Sequence, residues 1–143
     1  MTVAANYNVQ DALLTKQNAL PAAASTTVNG TAIDLGGALT ARGARLEKCE
    51  ALLSVPAVTT TMVPDTKTIT YSIESAVDSV FTSPITLAGS CIVQTGAGGA
   101  GAAAATFRLK LPSNCARYVR AKAVSGANVT DSSTLKMTFQ LLF

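Results

Sequence analysis

The chain has 143 residues, enough for one domain with its own core and short for two. Hydrophobic residues make up 48% of it and charged residues only 13%, against roughly 25% charged in an average soluble protein, so either much of the surface contacts another protein or it is rich in uncharged polar side chains. The net charge of +3 is too small to indicate nucleic-acid binding by itself.

The N-terminal segment, residues 1–25, differs in pattern from the rest of the chain. After a possible cap at Asn8, apolar residues recur at roughly helical spacing, at Val9, Ala12, Leu13 and Leu20. A helix this short is rarely stable alone, so we expect an arm that docks on another subunit, with a disordered tail as the alternative. The segment is too polar for a secretory signal, and no apolar run of about 18 residues predicts a membrane span.

From Thr26 onward the sequence predicts an all-β domain, residues 26–143. Short segments of alternating apolar and polar residues are separated by Gly, Pro, Asn and Ser, with no long helical segment between them. This organisation is typical of a two-sheet antiparallel sandwich. Eight strands are expected, at residues 28–35, 45–55, 68–74, 85–87, 91–94, 106–111, 118–124 and 135–143.

The strand at residues 68–74 and the loop after it form the centre of the pattern. In the strand, Ile and Tyr alternate with Thr and Ser, which places one face inward. Residues 76–84 contain Asp, Ser and Pro, which favour irregular backbone. Three apolar residues are expected to anchor this loop: Val77, Val80 and Phe81.

Two predicted strands show an especially regular alternation of apolar and polar residues. Residues 45–55 should turn one row inward, made of Cys49, Ala51, Leu53 and Val55. The last strand keeps its apolar phase to the end of the sequence, at Leu135, Met137, Phe139, Leu141 and Phe143. Because termini fray unless they are paired in a sheet, we expect this to be an interior strand.

A glycine motif comes after the strand at residues 91–94. Gly96, Gly98 and Gly101 spell GxGxxG, the letters of the dinucleotide-binding fingerprint. That fingerprint opens a helix, and an acidic residue follows about 20 positions later. Here a strand is expected from Thr106 and the next acidic residue is Asp131. The motif therefore predicts a flexible loop of the sandwich.

Residues suited to catalysis or metal binding are sparse. The chain has no His, which excludes Ser-His and Cys-His pairs, and its carboxylates are dispersed. Cys49, Cys91 and Cys115 form no CxxC pair, and no Trp completes an immunoglobulin-type disulfide frame. We interpret the three as reduced, apolar side chains. The sequence predicts no enzyme, metal or cofactor.

Basic residues are concentrated in the C-terminal half. No acidic residue lies between Asp78 and Asp131, an interval that contains Arg108, Lys110, Arg117, Arg120 and Lys122. This distribution predicts a basic face, either a solvated sheet surface or a contact with an acidic protein surface. Nucleic acid is the less favoured partner, because single-strand readers stack bases on several aromatic rings and only Phe107 and Tyr118 are interleaved.

Three segments resemble a known family. They read STTVNGTAIDLG at residues 25–36, YSIESAVDSVFTSPITLA at residues 71–88 and CARYVRAKAVSG at residues 115–126, and the apolar last strand comes after them. Together they are similar to the small jelly-roll cement or decoration proteins of tailed-bacteriophage capsids. The resemblance covers residues 25–143 and includes no catalytic residue.

The resemblance implies an eight-stranded antiparallel jelly-roll sandwich with an extended or partly helical N-terminal arm. It further implies a virion protein, made in the host bacterial cytoplasm, that binds the outside of the head and joins major capsid protein subunits as a homodimer or homotrimer, without nucleic acid, membrane or cofactor. The expected interface residues are Tyr7, Leu13, Leu14, Leu20, Arg117, Arg120 and Lys122. The alternative is a carbohydrate-binding or tail-associated adhesion module, which usually displays Trp or Tyr platforms.

Overall fold

The computed structural model describes residues 14–36 and 49–142, which form strands and connecting loops. No helix in these ranges is long and apolar enough to cross a membrane. The strands are β1 (Thr15–Ala19), β2 (Thr27–Asn29), β3 (Ile33–Asp34), β4 (Glu50–Val55), β5 (Thr68–Ala76), β6 (Ile85–Thr95), β7 (Ala105–Lys110), β8 (Tyr118–Ser125) and β9 (Lys136–Leu142).

The strands pair in two antiparallel sheets. The four-stranded sheet has the order β1-β9-β4-β7, and the five-stranded sheet has the order β2-β8-β5-β6 with β3 also paired to β8. When β2 and β3 are taken as one interrupted strand, the first strand pairs with the last, the second with the second-last, and so on to the central pair β5 and β6. This nested pairing is the jelly-roll topology, so the predicted all-β jelly-roll sandwich is confirmed.

The core lies between the inward rows of the two sheets. Side chains alternate across a strand, so each row comes from every second residue. The inward phases predicted for β4 and β5 are confirmed, since these residues are at most 3% exposed: Cys49, Ala51, Leu53, Val55, Ile69, Tyr71 and Ile73. On β8 and β9 the buried rows are Val119, Ala121 and Ala123, and Met137, Phe139 and Leu141.

The last strand lies inside its sheet. β9 pairs with β1 on one side and with β4 on the other. The prediction of an interior strand is therefore confirmed for residues 136–142. Phe143 lies outside the described residues.

Of the two forms predicted for the N-terminal arm, extended or partly helical, residues 15–19 adopt the extended one. These residues form β1, which pairs with β9 from Thr15 opposite Gln140 to Ala19 opposite Lys136. The local helical signal was weak, and the open edge of β9 offers a full set of backbone hydrogen bonds that a short isolated helix cannot match. Residues 1–13, where the helix was predicted to begin, lie outside the described residues.

Two other strand boundaries differ from the predictions. The strand predicted at 28–35 is interrupted at Gly30, whose N–H donates to Ala121 O at 2.8 Å; a Cβ at this position would lie 2.7 Å from that oxygen. The strands predicted at 85–87 and 91–94 are one strand, β6, whose register against β5 shifts near Ile73. A β-bulge of this kind adds residues without ending the strand.

The glycine motif packs against the chain instead of opening a helix. Gly101 has a φ of +75°, and a Cβ there would lie 2.0 Å from Val58 O. The N–H of Gly99 donates to Asp65 Oδ1 at 2.9 Å, which ties the loop to the segment before β5. The predicted flexible loop is thus a tight turn held on neighbouring backbone, and β7 begins directly after it, at Ala105.

Candidate interaction surface

The connection between β5 and β6 and the first residue of β6 display exposed apolar side chains. Val77 is 74% exposed, Val80 76% and Ile85 58%, the three most exposed large apolar side chains in the described residues. We call these three residues the apolar knob. Val77 and Val80 were predicted to anchor the loop on the core, and this prediction is wrong; of the three expected anchors, only Phe81 is buried.

Asp78 holds the loop in one conformation. Its carboxylate accepts hydrogen bonds from the N–H of Val80 at 3.1 Å and from both the N–H and the hydroxyl of Thr82 at 3.2 Å. The backbone N–H of Thr82, aided by its hydroxyl, lowers the pKa of Asp78 from its ordinary value of 3.8. Short Asp side chains commonly organise turns in this way. The apolar knob therefore rests on an ordered loop.

Phe81 connects the loop to the outer face of the five-stranded sheet. Its side chain is 6% exposed although its backbone has a φ of +57°, which is unfavourable for a residue with a Cβ. The guanidinium of Arg120 lies over the ring, 3.9 Å from its centroid. This cation–π contact fastens the loop to β8.

A buried ion cluster lies beneath Phe81. Arg120 donates from Nε to Glu74 Oε1 at 2.7 Å and also pairs through Nη2, and Lys122 Nζ lies 3.8 Å from Glu74 Oε2. The Glu74 side chain is only 5% exposed and that of Arg120 15%. Because two cations surround one buried carboxylate, the cost of taking its charge out of water is offset by direct pairing. The cluster joins β5, β8 and the loop into one unit.

The cations predicted to dock on a partner have partners within the chain. Arg120 and Lys122 pair with Glu74. Arg117 forms a bidentate pair with Asp34, at 2.8 Å from Nε and 2.9 Å from Nη2, and its guanidinium lies 5.2 Å from the ring centroid of Tyr118. Charge on this part of the sheet is largely compensated.

The predicted arm residues that the structure describes lie against the sandwich. Leu20 is fully buried and its N–H donates to Leu135 O at 2.9 Å, so it belongs to the core and presents no surface to a partner. Leu14 packs against the core, and its carbonyl accepts a hydrogen bond from Leu141 N–H at 2.9 Å. Tyr7 and Leu13 lie outside the described residues.

Sequence reasoning missed the outward direction of Val77 and Val80. The spacing of Asp78 and Thr82 in the sequence could have predicted this, because it is typical of a turn that side-chain hydrogen bonds stabilise without buried apolar residues. Phe81 takes the inward position of this loop, with the Arg120 guanidinium over its ring. That contact is visible only in the folded chain.

The described residues contain no group of three or more His, Cys, Asp or Glu side chains that could hold a metal ion. Burial, with a smaller effect of the neighbouring Cys115, raises the pKa of the Cys49 thiol to about 11. Burial also raises the pKa of Cys91. Neither thiol is activated as a nucleophile, because each is held in its neutral form.

Comparison with known proteins gives little further information. No family model matches the chain, and no curated protein matches it. A solved structure of the cowpea mosaic virus empty virus-like particle is similar with a TM-score of 0.40 and 10% identity, over 91% of this chain and 78% of that one. A likeness at this TM-score carries no argument about function. The class of protein is therefore defined by topology alone: a jelly-roll β-sandwich.

Proposed function

We propose that the protein is a structural component of a virion, a capsid cement or decoration protein that binds the outside of a bacteriophage head and stabilises contacts between major capsid protein subunits. The observation that supports this most is the apolar knob, whose two valines are held in solvent by an ordered loop. Jelly rolls occur in viral capsid proteins, lectins and cupins, so the fold by itself does not select a function.

The knob has the properties of a protein-binding surface. Burying one Val side chain fully is worth roughly 1.5–3 kcal/mol, and Val77 and Val80 retain about three-quarters of that area in water. Because Asp78, Phe81 and Glu74 already fix the loop, little conformational entropy is lost when a partner covers it. A rigid apolar contact gives affinity without needing charge complementarity.

Stabilisation of a capsid follows from mass action. A protein that binds only where two capsid subunits meet lowers the free energy of the assembled shell and leaves the free subunits unchanged. The effect grows with the concentration of the bound protein relative to its dissociation constant. No bond is made or broken, so the function needs none of the ionisable groups that an enzyme would use.

The test is a binding assay with purified capsids that lack the protein. Wild type should sediment with the capsids and raise the temperature at which they release DNA. Val80→Asp places a carboxylate in the knob and should weaken binding roughly 10- to 100-fold, since about 1.4 kcal/mol corresponds to tenfold. Thr106→Asp, the matched control, adds the same charge to an exposed position on β7 and should bind as wild type does.

Two results would contradict the proposal at different levels. If the wild-type protein were absent from purified virions and did not bind capsids, the function would be wrong. If wild type bound and Val80→Asp bound equally well, the function would stand and the knob would not be its docking surface. Tyr7, Leu13, Leu14, Arg117, Arg120 and Lys122 stay predictions as further capsid contacts.

A carbohydrate-binding or tail-associated adhesion module is not favoured by any observed contact. Tyr71 is fully buried and donates its hydroxyl to Gln94 Oε1 at 2.7 Å, so it offers no stacking surface. The ring of Tyr118 already has the Arg117 guanidinium against it. Binding of the wild-type protein to a glycan array would favour this alternative.

A further inference from the structure

The outer edge of β6 is an open strand edge that carries neither charge nor Pro. β6 is the last strand of the five-stranded sheet, and no described strand pairs with its outer side. Its eleven residues, ITLAGSCIVQT, include no charged residue and no Pro. Charged side chains, Pro, β-bulges and very short strands are the devices that normally keep such edges from pairing with another chain.

The other sheet edges in the described residues carry such devices. β7 has Arg108 and Lys110 along its length. β1 has Lys16, and β2 is only three residues long. β6 is irregular only in its first part, where its register against β5 shifts on both sides of Ile73 and Ser90 has a φ of +47°. From Ile92 to Thr95 its ladder with β5 is regular and carries none of these devices.

The hydrogen bonds of β5 determine which backbone groups of β6 face β5 and which face outward. Thr68 O accepts from Gly126 N–H at 2.8 Å, so the backbone groups of Thr68 face β8. In an antiparallel ladder these groups alternate, so those of Ile69 and Tyr71 face β6 and pair with Gln94 and Ile92.

The backbone N–H and C=O of the intervening residues must then point away from β5. These residues are Cys91, Val93 and Thr95. The Val93 side chain lies on the outer face of the sheet, opposite Thr70, and is 49% exposed. The edge therefore offers both outward backbone groups and an exposed β-branched side chain.

We propose that two copies of the chain pair through their β6 edges, antiparallel about a two-fold axis at Val93, so that the two five-stranded sheets become one continuous sheet. Val93 of each copy then exchanges backbone hydrogen bonds with its symmetry mate, and Cys91 of one copy lies opposite Thr95 of the other. This register supplies about six backbone hydrogen bonds. A second copy fits this edge because an uncharged strand meets no like charge when it pairs with itself.

This dimer does not depend on the proposed function, although it is compatible with it. Ile85 lies eight residues from Val93 along β6, about 25 Å at the rise of a β-strand. Both apolar knobs therefore stay free, at opposite ends of the paired strands and roughly 50 Å apart. A dimer of this shape can contact two neighbouring subunits at once, which raises avidity without new contacts.

The test is the molar mass in solution, by size-exclusion chromatography with light scattering at tens of micromolar protein. Wild type should be a dimer. Val93→Lys places two ammonium groups beside the axis and should raise the dissociation constant at least tenfold, giving a monomer. Val124→Lys is the matched control: Val124 is 36% exposed on the same sheet face, but on β8, two strands from the edge, and its variant should stay a dimer.

Two further variants separate the interface from a folding defect. Val93→Pro removes an N–H that points outward and takes no part in the β5–β6 ladder, so it should also give a folded monomer. Val93→Cys in a Cys91→Ser background should form a covalent dimer with oxidised glutathione, releasing two molecules of reduced glutathione. The Cα atoms of a hydrogen-bonded antiparallel pair are about 5.5 Å apart, within disulfide range.

The proposal is overturned if wild type is a monomer or a trimer, if folded Val93→Lys remains a dimer, or if Val93→Cys does not crosslink. A wild-type monomer in which the Val93 amide resists hydrogen exchange would show that another part of the same chain covers β6. That result would also reject the dimer.

Discussion

Replacing Glu74 by Gln tests how the loop below the apolar knob is held. The substitution keeps the size and one oxygen acceptor of the side chain and removes its charge. Arg120 and Lys122 then lose their shared carboxylate, which lies 2.7 Å from Arg120 Nε and 3.8 Å from Lys122 Nζ. Because the Arg120 side chain is only 15% exposed, water replaces the lost partner poorly.

The expected cost follows from this geometry. Removing one partner of a fully buried pair destabilises a protein by about 3–5 kcal/mol. The value should be lower here, since Gln still accepts one hydrogen bond and the Lys122 side chain is 34% exposed. We expect a loss of about 2–3 kcal/mol in the free energy of unfolding. For a domain of this length that corresponds to a fall in Tm of roughly 6–10 °C.

The assay is equilibrium urea unfolding of Glu74→Gln, Arg120→Gln and the double variant, which together form a double-mutant cycle. The coupling energy should be about 1–3 kcal/mol. Glu50→Gln is the matched control, because it makes the same chemical change in an exposed pair: Glu50 lies 3.4 Å from Arg108, and the two side chains are 47% and 63% exposed. It should cost less than about 1 kcal/mol.

The reasoning is refuted if Glu74→Gln is no more destabilising than Glu50→Gln, or if the coupling between Glu74 and Arg120 is near zero. Either result would mean that the cluster is solvated in solution and does not hold the loop. The apolar knob would then lose the support on which its preorganisation rests.

Two further predictions concern the core. At pH 8 a thiol reagent should modify folded protein at Cys91 before Cys49, because Cys49 is fully buried and burial raises its pKa to about 11, which leaves very little thiolate. Mass spectrometry of samples labelled in buffer and in urea measures the two rates. Equal rates in buffer would contradict the prediction. Deleting residues 139–143 removes the buried Phe139 and Leu141 from an interior strand, together with most of the β9 pairing of β4 and part of that of β1, so the truncated protein should be insoluble. A soluble, folded truncation would show that this half of β9 is dispensable.

Much of the sandwich could be predicted because strand patterns report burial locally. The alternation around Ile69, Tyr71 and Ile73, and the row from Cys49 to Val55, identified inward faces that the structure confirms. Such a row must be apolar wherever its strand lies in the sheet. The predicted loop anchors failed at Val77 and Val80, because exposure in a loop has no period and depends on what packs beside it.

The pairing of the N-terminal strand and the ion pairs of the basic residues were not predictable for a related reason. β1 exists because β9 presents a free edge to it, and nothing near Thr15 in the sequence records that edge. Arg120 and Lys122 led to the prediction of a basic face. Glu74, nearly fifty positions away in sequence, lies next to them in the sheet and compensates their charge. A count of charges along the chain cannot detect pairing between strands that are distant in sequence.

The sequence alone determined that this protein is a small all-β sandwich with few reactive groups, because composition and alternation are local properties that any packed β-structure must satisfy. The tertiary structure decided which strands lie at the sheet edges, which cations find carboxylates and which apolar side chains stay in solvent. These are relations between distant segments, fixed by strand order and register. They place the apolar knob at one end of β6 and the open edge at Val93, and both proposals rest on them.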